Sequence, residues 1–492
     1  MSDALTTTGL NQLLASVGKS GMRRIPFPVE SYVHPSTALV STHLVNLFAE
    51  QEPSAARTSE ALISSPGLYL WETLGAGPVL AMNDDLPGFI YVVSGTEFYR
   101  ISLGLSGVTV ADLGPVGSPA APGIAAYQQM PTIAVGVNAV VVCIPPNAFT
   151  VTHGGTAVVQ LGGTFPGGAT SVAYVDGYFA FTSTVQQFFI CGLMDPTAFD
   201  ALDFATPTQT PDFMNGVFSM YDQLWFTGYS GHEVWYDSGD VDFPFRPFPG
   251  GVISYGNASI RSVAKLDNSL FWIGSDDIVY RTNGYQAIRI STHGVETAIA
   301  AAGVYTLVSA FGYSQNGHVF YVVNFPSLTL VYDCATKLWH NRSSSTDGAA
   351  RWRANCASSK VGDEPVFGDV LSGQIFLGYL GLGEEAGTNV IRQVVMPPLW
   401  AGTNRAFMNR LEVEMDTGSP RIPASVFLEW SDDGGTTWKG GRTLALDSVP
   451  DGHWRVCTTR LGSFRQRILR LTAQGQATFY AVDADITAPA GG

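Results

Sequence analysis

Along most of this chain a short apolar run meets a tight turn, and a second apolar run follows. GFIYVVSGTEFYRIS (88–102) turns at Ser94-Gly95, TSVAYVDGYFAFTS (170–183) at Asp176-Gly177, and GVFSMYDQLWFTGYSGHEVWYDSG (216–239) at Asp222-Gln223. SVAKLDNSLFWIGSDDIVYRTNG (262–284) turns at Asp267-Asn268. GHVFYVVNFPSLTLVYDCATKLWHN (317–341) and PVFGDVLSGQIFLG (365–378) continue the pattern. Runs this short, punctuated by residues that accept positive φ, predict antiparallel hairpins. LWFTGYSGHEVWY and LFWIGSDDIVY align almost residue for residue. The units recur every roughly 40–55 residues, the period of propeller blades, each a small sheet that buries its faces only against its neighbours.

The chain is therefore expected to be all-β. A β-propeller of six or seven blades fills residues 26–388, behind an irregular lead-in that begins PFPVESYVHPSTALV. Residues 1–25 read as a flexible or partner-bound arm in which LNQLLASV has a short helical pattern. After GEEAGTNVIRQ the text changes. LEVEMD places Leu411, Val413 and Met415 on one face. SVFLEW, RILRLTA and ATFYAVDADI follow as strands, so residues 389–488 are expected to form a β-sandwich-like domain. The segment 196–213, PTAFDALDFATPTQTPDF, reads as a long inter-blade loop.

Composition narrows the function. Only 14% of residues are charged while 46% are hydrophobic, which suits surface hidden in an assembly. The formal charge of −15 and the absence of any Lys/Arg run argue against a protein that grips nucleic-acid phosphates. Five scattered cysteines without a CxxC pair signal neither a zinc site nor a disulfide framework, and Cys143 and Cys191 sit in apolar text as core thiols. The N-terminus lacks the pattern of a signal peptide, and no apolar run reaches the ~20 residues of a membrane anchor.

Candidate chemistry is sparse. SDDGGTTW, Ser431 to Trp438, has the Asp-box pattern known from sialidases. Asp433 is suited to accept from turn amides, Gly435 to take positive φ and Trp438 to pack beneath the hairpin, which makes the motif a structural turn. Arg24-Ile25-Pro26 and Arg421-Ile422-Pro423 match a sialidase tripeptide, but no nucleophile or acid accompanies them. The doublets Asp84-Asp85, Asp276-Asp277, Glu384-Glu385 and Asp432-Asp433 read as solvated turns rather than a glycosidase pair. Asp237, Asp240 and Asp242 share one loop with oxygen ligands suited to calcium, though without the EF-hand's central Gly and terminal Glu. His293 and Glu296 stand close in a segment read as a surface loop. No phosphate-cradling or nucleophile-elbow motif appears, so no catalytic residue, cofactor or resident metal is expected.

GHEVWYDSGDVDFPFRPFPGG and SVAKLDNSLFWIGSDDIVYRTNGYQAIRISTHGVE resemble the packaged-DNA stabilisation, or tail nozzle, proteins of short-tailed bacteriophages. NLFAEQEP, SSPGLYLW and YVVSGTEFYRI near the start are similar to the same family, as are LEVEMDTG, VFLEWSDDGGTTW and GSFRQRILRLTA near the end. The resemblance implies a structural virion protein assembled in the host cytoplasm. It would form a homo-hexameric ring below the portal and adaptor, extend the DNA channel and retain the genome until ejection. Its neighbours would be tail fibre, tailspike or needle proteins, with genomic DNA close by in the channel. The alternative is a tail-associated propeller that binds or cleaves glycans, sialidase-like. A cellular scaffold propeller is more distant.

Overall fold

A computed structural model describes residues 21–487 apart from 33–41, 52–59, 105–106, 119–129, 211–213, 304, 362, 403, 418–424 and 447–452. The LNQLLASV segment and Arg421-Ile422-Pro423 lie outside the described residues.

Five self-contained four-stranded antiparallel sheets follow one another: 79–115, 132–160, 169–205, 214–253 and 264–289. A sixth blade, 309–342, continues through its outer strand into the sandwich. The seventh takes three strands from 354–379 and its fourth from the beginning of the chain. Among the N-terminal strands, β1 is Met22–Ile25, β2 His43–Val45, β3 Leu47–Gln51, β4 Glu60–Ser64 and β5 Gly67–Thr73. β5 completes blade 7, with Leu68 opposite Gly378 and Leu70 opposite Phe376.

Seven buried clusters, one between each pair of adjacent blades, close the ring. Phe181 and Phe189 pack between blades 2 and 3, and Trp225 and Trp272 between blades 4 and 5. Tyr321 and Trp339 belong to the cluster between blades 5 and 6. Cys356 and Ile375 meet Val79 and Ile90 between blades 7 and 1. An apolar face on each side of each sheet explains the near-continuous hydrophobic runs, since both faces are covered by neighbours.

The hairpin turns follow side-chain chemistry. Asp176-Gly177 and Asp267-Asn268 both hold positive φ between paired strand ends, as two-residue type I′ loops require. Two turns are displaced by one residue from the expected dipeptide. Ser94 pairs with Glu97, so the loop is Gly95-Thr96. Met220 pairs with Gln223, and Tyr221 and Asp222 take the positive φ. The stretch 196–213 is also more than a loop, because Phe204–Ala205 pairs with Phe188–Phe189 as the outer strand of blade 3.

The N-terminal boundaries differ from the sequence expectation of an arm over 1–25 and a propeller lead-in from residue 26. β1 pairs with the last strand, Thr478–Thr487, with Ile25 opposite Val482. β3 pairs with β4, and β4 meets the same final strand. β2 bridges blade 6 at Asn341 and the sandwich strand Ile391–Val395. The sandwich core accordingly mixes both chain ends: Ile25, Leu44, Leu47 and Leu62 pack with Leu411, Val413, Met415 and Phe479. Without them the C-terminal strands would leave one apolar flank in water, and that burial draws the lead-in away from the blades.

Candidate functional site

In the Asp box, Gly434 and Gly435 both take positive φ, so the loop can fold back over Ser431. The Gly435 amide donates to Ser431 Oγ at 2.9 Å, and Ser431 Oγ donates to Asp433 Oδ1 at 2.6 Å. Asp433 Oδ1 also accepts the Thr437 amide at 2.9 Å, and its second oxygen accepts the Thr437 hydroxyl. These donors hold the Asp433 carboxyl well below the usual carboxylate range. Trp438 is half-buried and lies against a guanidinium rather than in an apolar core, with Arg470 Cζ 4.0 Å from its ring centroid. Arg470 in turn pairs with Glu429 at 2.6 Å. All the carboxylates here are engaged in fixing the hairpin.

The acidic doublets have separate structural employment. Asp85 accepts from Asn83, and Asp276 accepts the Tyr280 hydroxyl at 2.7 Å. Asp277 accepts the Tyr305 hydroxyl. Two of the eight carboxyls depart from the solvated-turn expectation. Glu385 is buried, accepts Trp352 Nε1 at 2.8 Å and is raised above the ordinary range by desolvation. Asp432 is bound bidentately by buried Arg467 at 2.8 and 3.1 Å.

In the Asp237–Asp242 loop, Asp237 accepts the Gly239 amide at 2.7 Å and Asp240 pairs with Arg246. The three carboxylates do not converge, and among the described residues no group of three His, Cys, Asp or Glu side chains is arranged for a metal ion. His293 and Glu296 do meet, at 3.3 Å, but on the first turn of an α-helix (His293–Ala302) rather than in a loop. Glu296 is taken up by Arg289 and by the Ser291 hydroxyl at 2.6 Å. Arg24 of the tripeptide pairs with Asp483 of the sandwich at 2.8 Å. Cys143 and Cys191 are buried, and burial raises both thiols.

Sequence reasoning missed two polar centres. The first is an axial cavity of about 400 Å³ lined by the inner strands of all seven blades, with Asp85, Arg261, Lys265, Tyr174 and Asn355 among its walls. The second joins the propeller to the sandwich. His318 of blade 6 stands between Asp333 Oδ2 at 2.8 Å and Glu50 Oε2 of β3 at 2.7 Å. Its hydrogen bond to Asp333 raises the imidazole above its ordinary range despite its burial. Nearby His340 is buried and desolvation pushes it well below that range, so it stays neutral beside Arg342. No local motif announces either centre, because each draws on residues far apart in sequence.

The described residues thus form a closed propeller joined to a sandwich, with the carboxylates singled out above held in turns and ion pairs. The particular family follows from sequence-profile matches. The β-propeller of bacteriophage P22 Gp10 matches residues 24–381, and the β-sandwich of bacteriophage P22 Gp10 matches residues 391–487. The chain belongs to this family of phage structural proteins. Solved structures similar to it include the WD40 propeller of Doa1, at 8% identity and TM-score 0.41, covering 64% of this chain and 96% of that one. U3-55K has 10% identity and TM-score 0.42, with 64% and 99% covered. The Neurospora crassa Pan2 WD40 domain has 10% identity and TM-score 0.40, with 64% and 97% covered. No curated protein matches the chain in sequence. Among the described residues no helix is long and apolar enough to cross a membrane.

Proposed function

We propose that this protein is a tail nozzle subunit of a short-tailed bacteriophage. Six copies form a ring below the portal and adaptor, extend the DNA channel and retain the packaged genome until ejection. The family match across both propeller and sandwich carries this reading. Its role is mechanical and not enzymatic. Rigid blades make a wall, and loops at the ring's inner surface gate the DNA. The axial cavity, with about 400 Å³, has the size of a small-ligand pocket, so the DNA path runs between subunits and not through a propeller.

Two features support assembly. The outer strands of several blades present large exposed apolar side chains, including Val110, Val159, Phe204 and Ile288. Such edges are suited to burial against other chains. The net charge of −15 also suits a lumen that repels phosphates, so that DNA slides without sticking. The test is the mass of the purified protein alone and after mixing with portal–adaptor particles. Six copies joining each particle is the expected result, and persistent failure to associate would sink the proposal. Turnover of a fluorogenic sialoside would overturn the non-enzymatic part.

A further inference from the structure

On the face where the hairpin turns of blades 6 and 7 emerge lies a groove of about 450 Å³. Two of its walls are tyrosines from neighbouring strands of blade 7, Tyr69 on β5 and Tyr379 on Gln374–Tyr379. They are 56% and 37% exposed, although β5 is otherwise integral to the closed ring. Their ring centroids are 6.1 Å apart at 72°, an open aromatic corner. Gln315, Asn316, Glu364, Leu380, Gly381 and Leu382 complete the lining.

Gln315 is 3% exposed, and its orientation is fixed. Its Nε2 donates to Glu364 Oε2 at 2.9 Å and to the Gly378 carbonyl at 2.7 Å, both obligate acceptors. The opposite atom, Oε1, is buried without a partner. A buried acceptor left unsatisfied is unfavourable, so it marks a position where a donor belongs. Glu364 adds acceptor capacity beyond the single bond from Gln315, and the Asn316 amide both donates and accepts. The groove thus asks for a ligand with several hydroxyl donors and one apolar face.

From this arrangement we infer that the groove is a binding subsite for a neutral pyranose of an oligosaccharide. The C–H face of the sugar stacks in the Tyr69–Tyr379 corner. Its hydroxyls donate to Gln315 Oε1 and Glu364, and one accepts from Asn316. A cationic side chain fits less well, because the one carboxylate is already shared with Gln315 Nε2 and the amides match vicinal hydroxyls. The inference is independent of the nozzle reading, and its failure would leave that reading untouched.

The test is saturation-transfer NMR and calorimetry on the full chain with maltoheptaose, cellopentaose and chitotetraose. Saturable binding of at least one sugar is expected, at a Kd in the range of roughly 0.01–1 mM. Tyr69→Ala and Tyr379→Ala should each weaken it roughly tenfold or more. Tyr229→Ala, which removes an exposed tyrosine outside the groove, should leave it unchanged. Unchanged thermal transitions would show that both groove variants remain folded. Failure of every sugar to saturate at about 10 mM overturns the inference. So does binding that survives the double variant. A double variant that lowers the assembly mass while no sugar binds would instead make the groove a contact between copies, and would also overturn it.

Discussion

Replacing His318 by glutamine probes the joint between propeller and sandwich. The imidazole side chain is 9% exposed and Asp333 is 1% exposed, so their 2.8 Å contact is a buried pair. Glu50, on the sandwich side, is one-third exposed and contributes less. Glutamine keeps the hydrogen-bonding reach but removes the positive charge facing Asp333. Breaking a buried pair from one side costs ~3–5 kcal/mol. The lower end, about 3 kcal/mol, applies here, because Asp333 keeps bonds from the Ala335 amide and the Thr336 hydroxyl. A double-mutant cycle of His318→Gln with Asp333→Asn in urea unfolding should return a coupling of ~1–3 kcal/mol.

The pH dependence has a definite sign. His318 is raised in the folded state, so its contribution is full below about 6.5 and fades as pH rises through the folded value. Asp333 is lowered, so its contribution is present above about 3.9 and fades as pH falls through its folded value. Nearby His340 is held neutral by burial and by Arg342, so it adds no competing charge. The stability gap between the wild type and His318→Gln should therefore be widest between about pH 4 and 6.5 and narrow above it. A gap that is constant from about pH 5 to 9, or grows with pH, would show that the charged His318–Asp333 pair does not stabilise the joint.

Asp433→Ala should loosen only its own hairpin, with faster hydrogen exchange at the Gly435 and Thr437 amides and no change in the propeller transition. Protection extending across the sandwich being lost would mean the turn anchors more than itself. Trp272→Ala removes a fully buried ring between blades 4 and 5 and should cost ~3–5 kcal/mol in urea unfolding, whereas Trp400→Ala, at 38% exposure, should cost far less. Gly373→Ala would place a methyl carbon 2.1 Å from the Leu74 carbonyl oxygen, where backbone meets backbone. It should lower the thermal midpoint markedly, while Gly284→Ala, with open space around it, should show only the strain of its positive φ. A chain beginning at residue 75 loses β1 to β5 and should yield no cooperative transition; a folded ring from such a chain would show that the closing strand is dispensable.

The blades and most of their turns are legible in the sequence. Alternation, aromatic runs and dipeptides such as Asp176-Gly177 act within one hairpin, over distances that local periodicity records. The hydrogen bonds among Ser431, Asp433, Gly435 and Thr437 likewise stay within one short segment. The destination of the first strands was decided by tertiary structure. Leu68 meets Gly378 and Ile25 meets Val482 across most of the chain, and which apolar edge they fill depends on the shape left by everything between. The same holds for Glu50, His318 and Asp333, and for Tyr69 beside Gln315 and Tyr379. Each residue is unremarked in its own segment. Folding brings them together, and with that juxtaposition come burial, a partner and a chemical role.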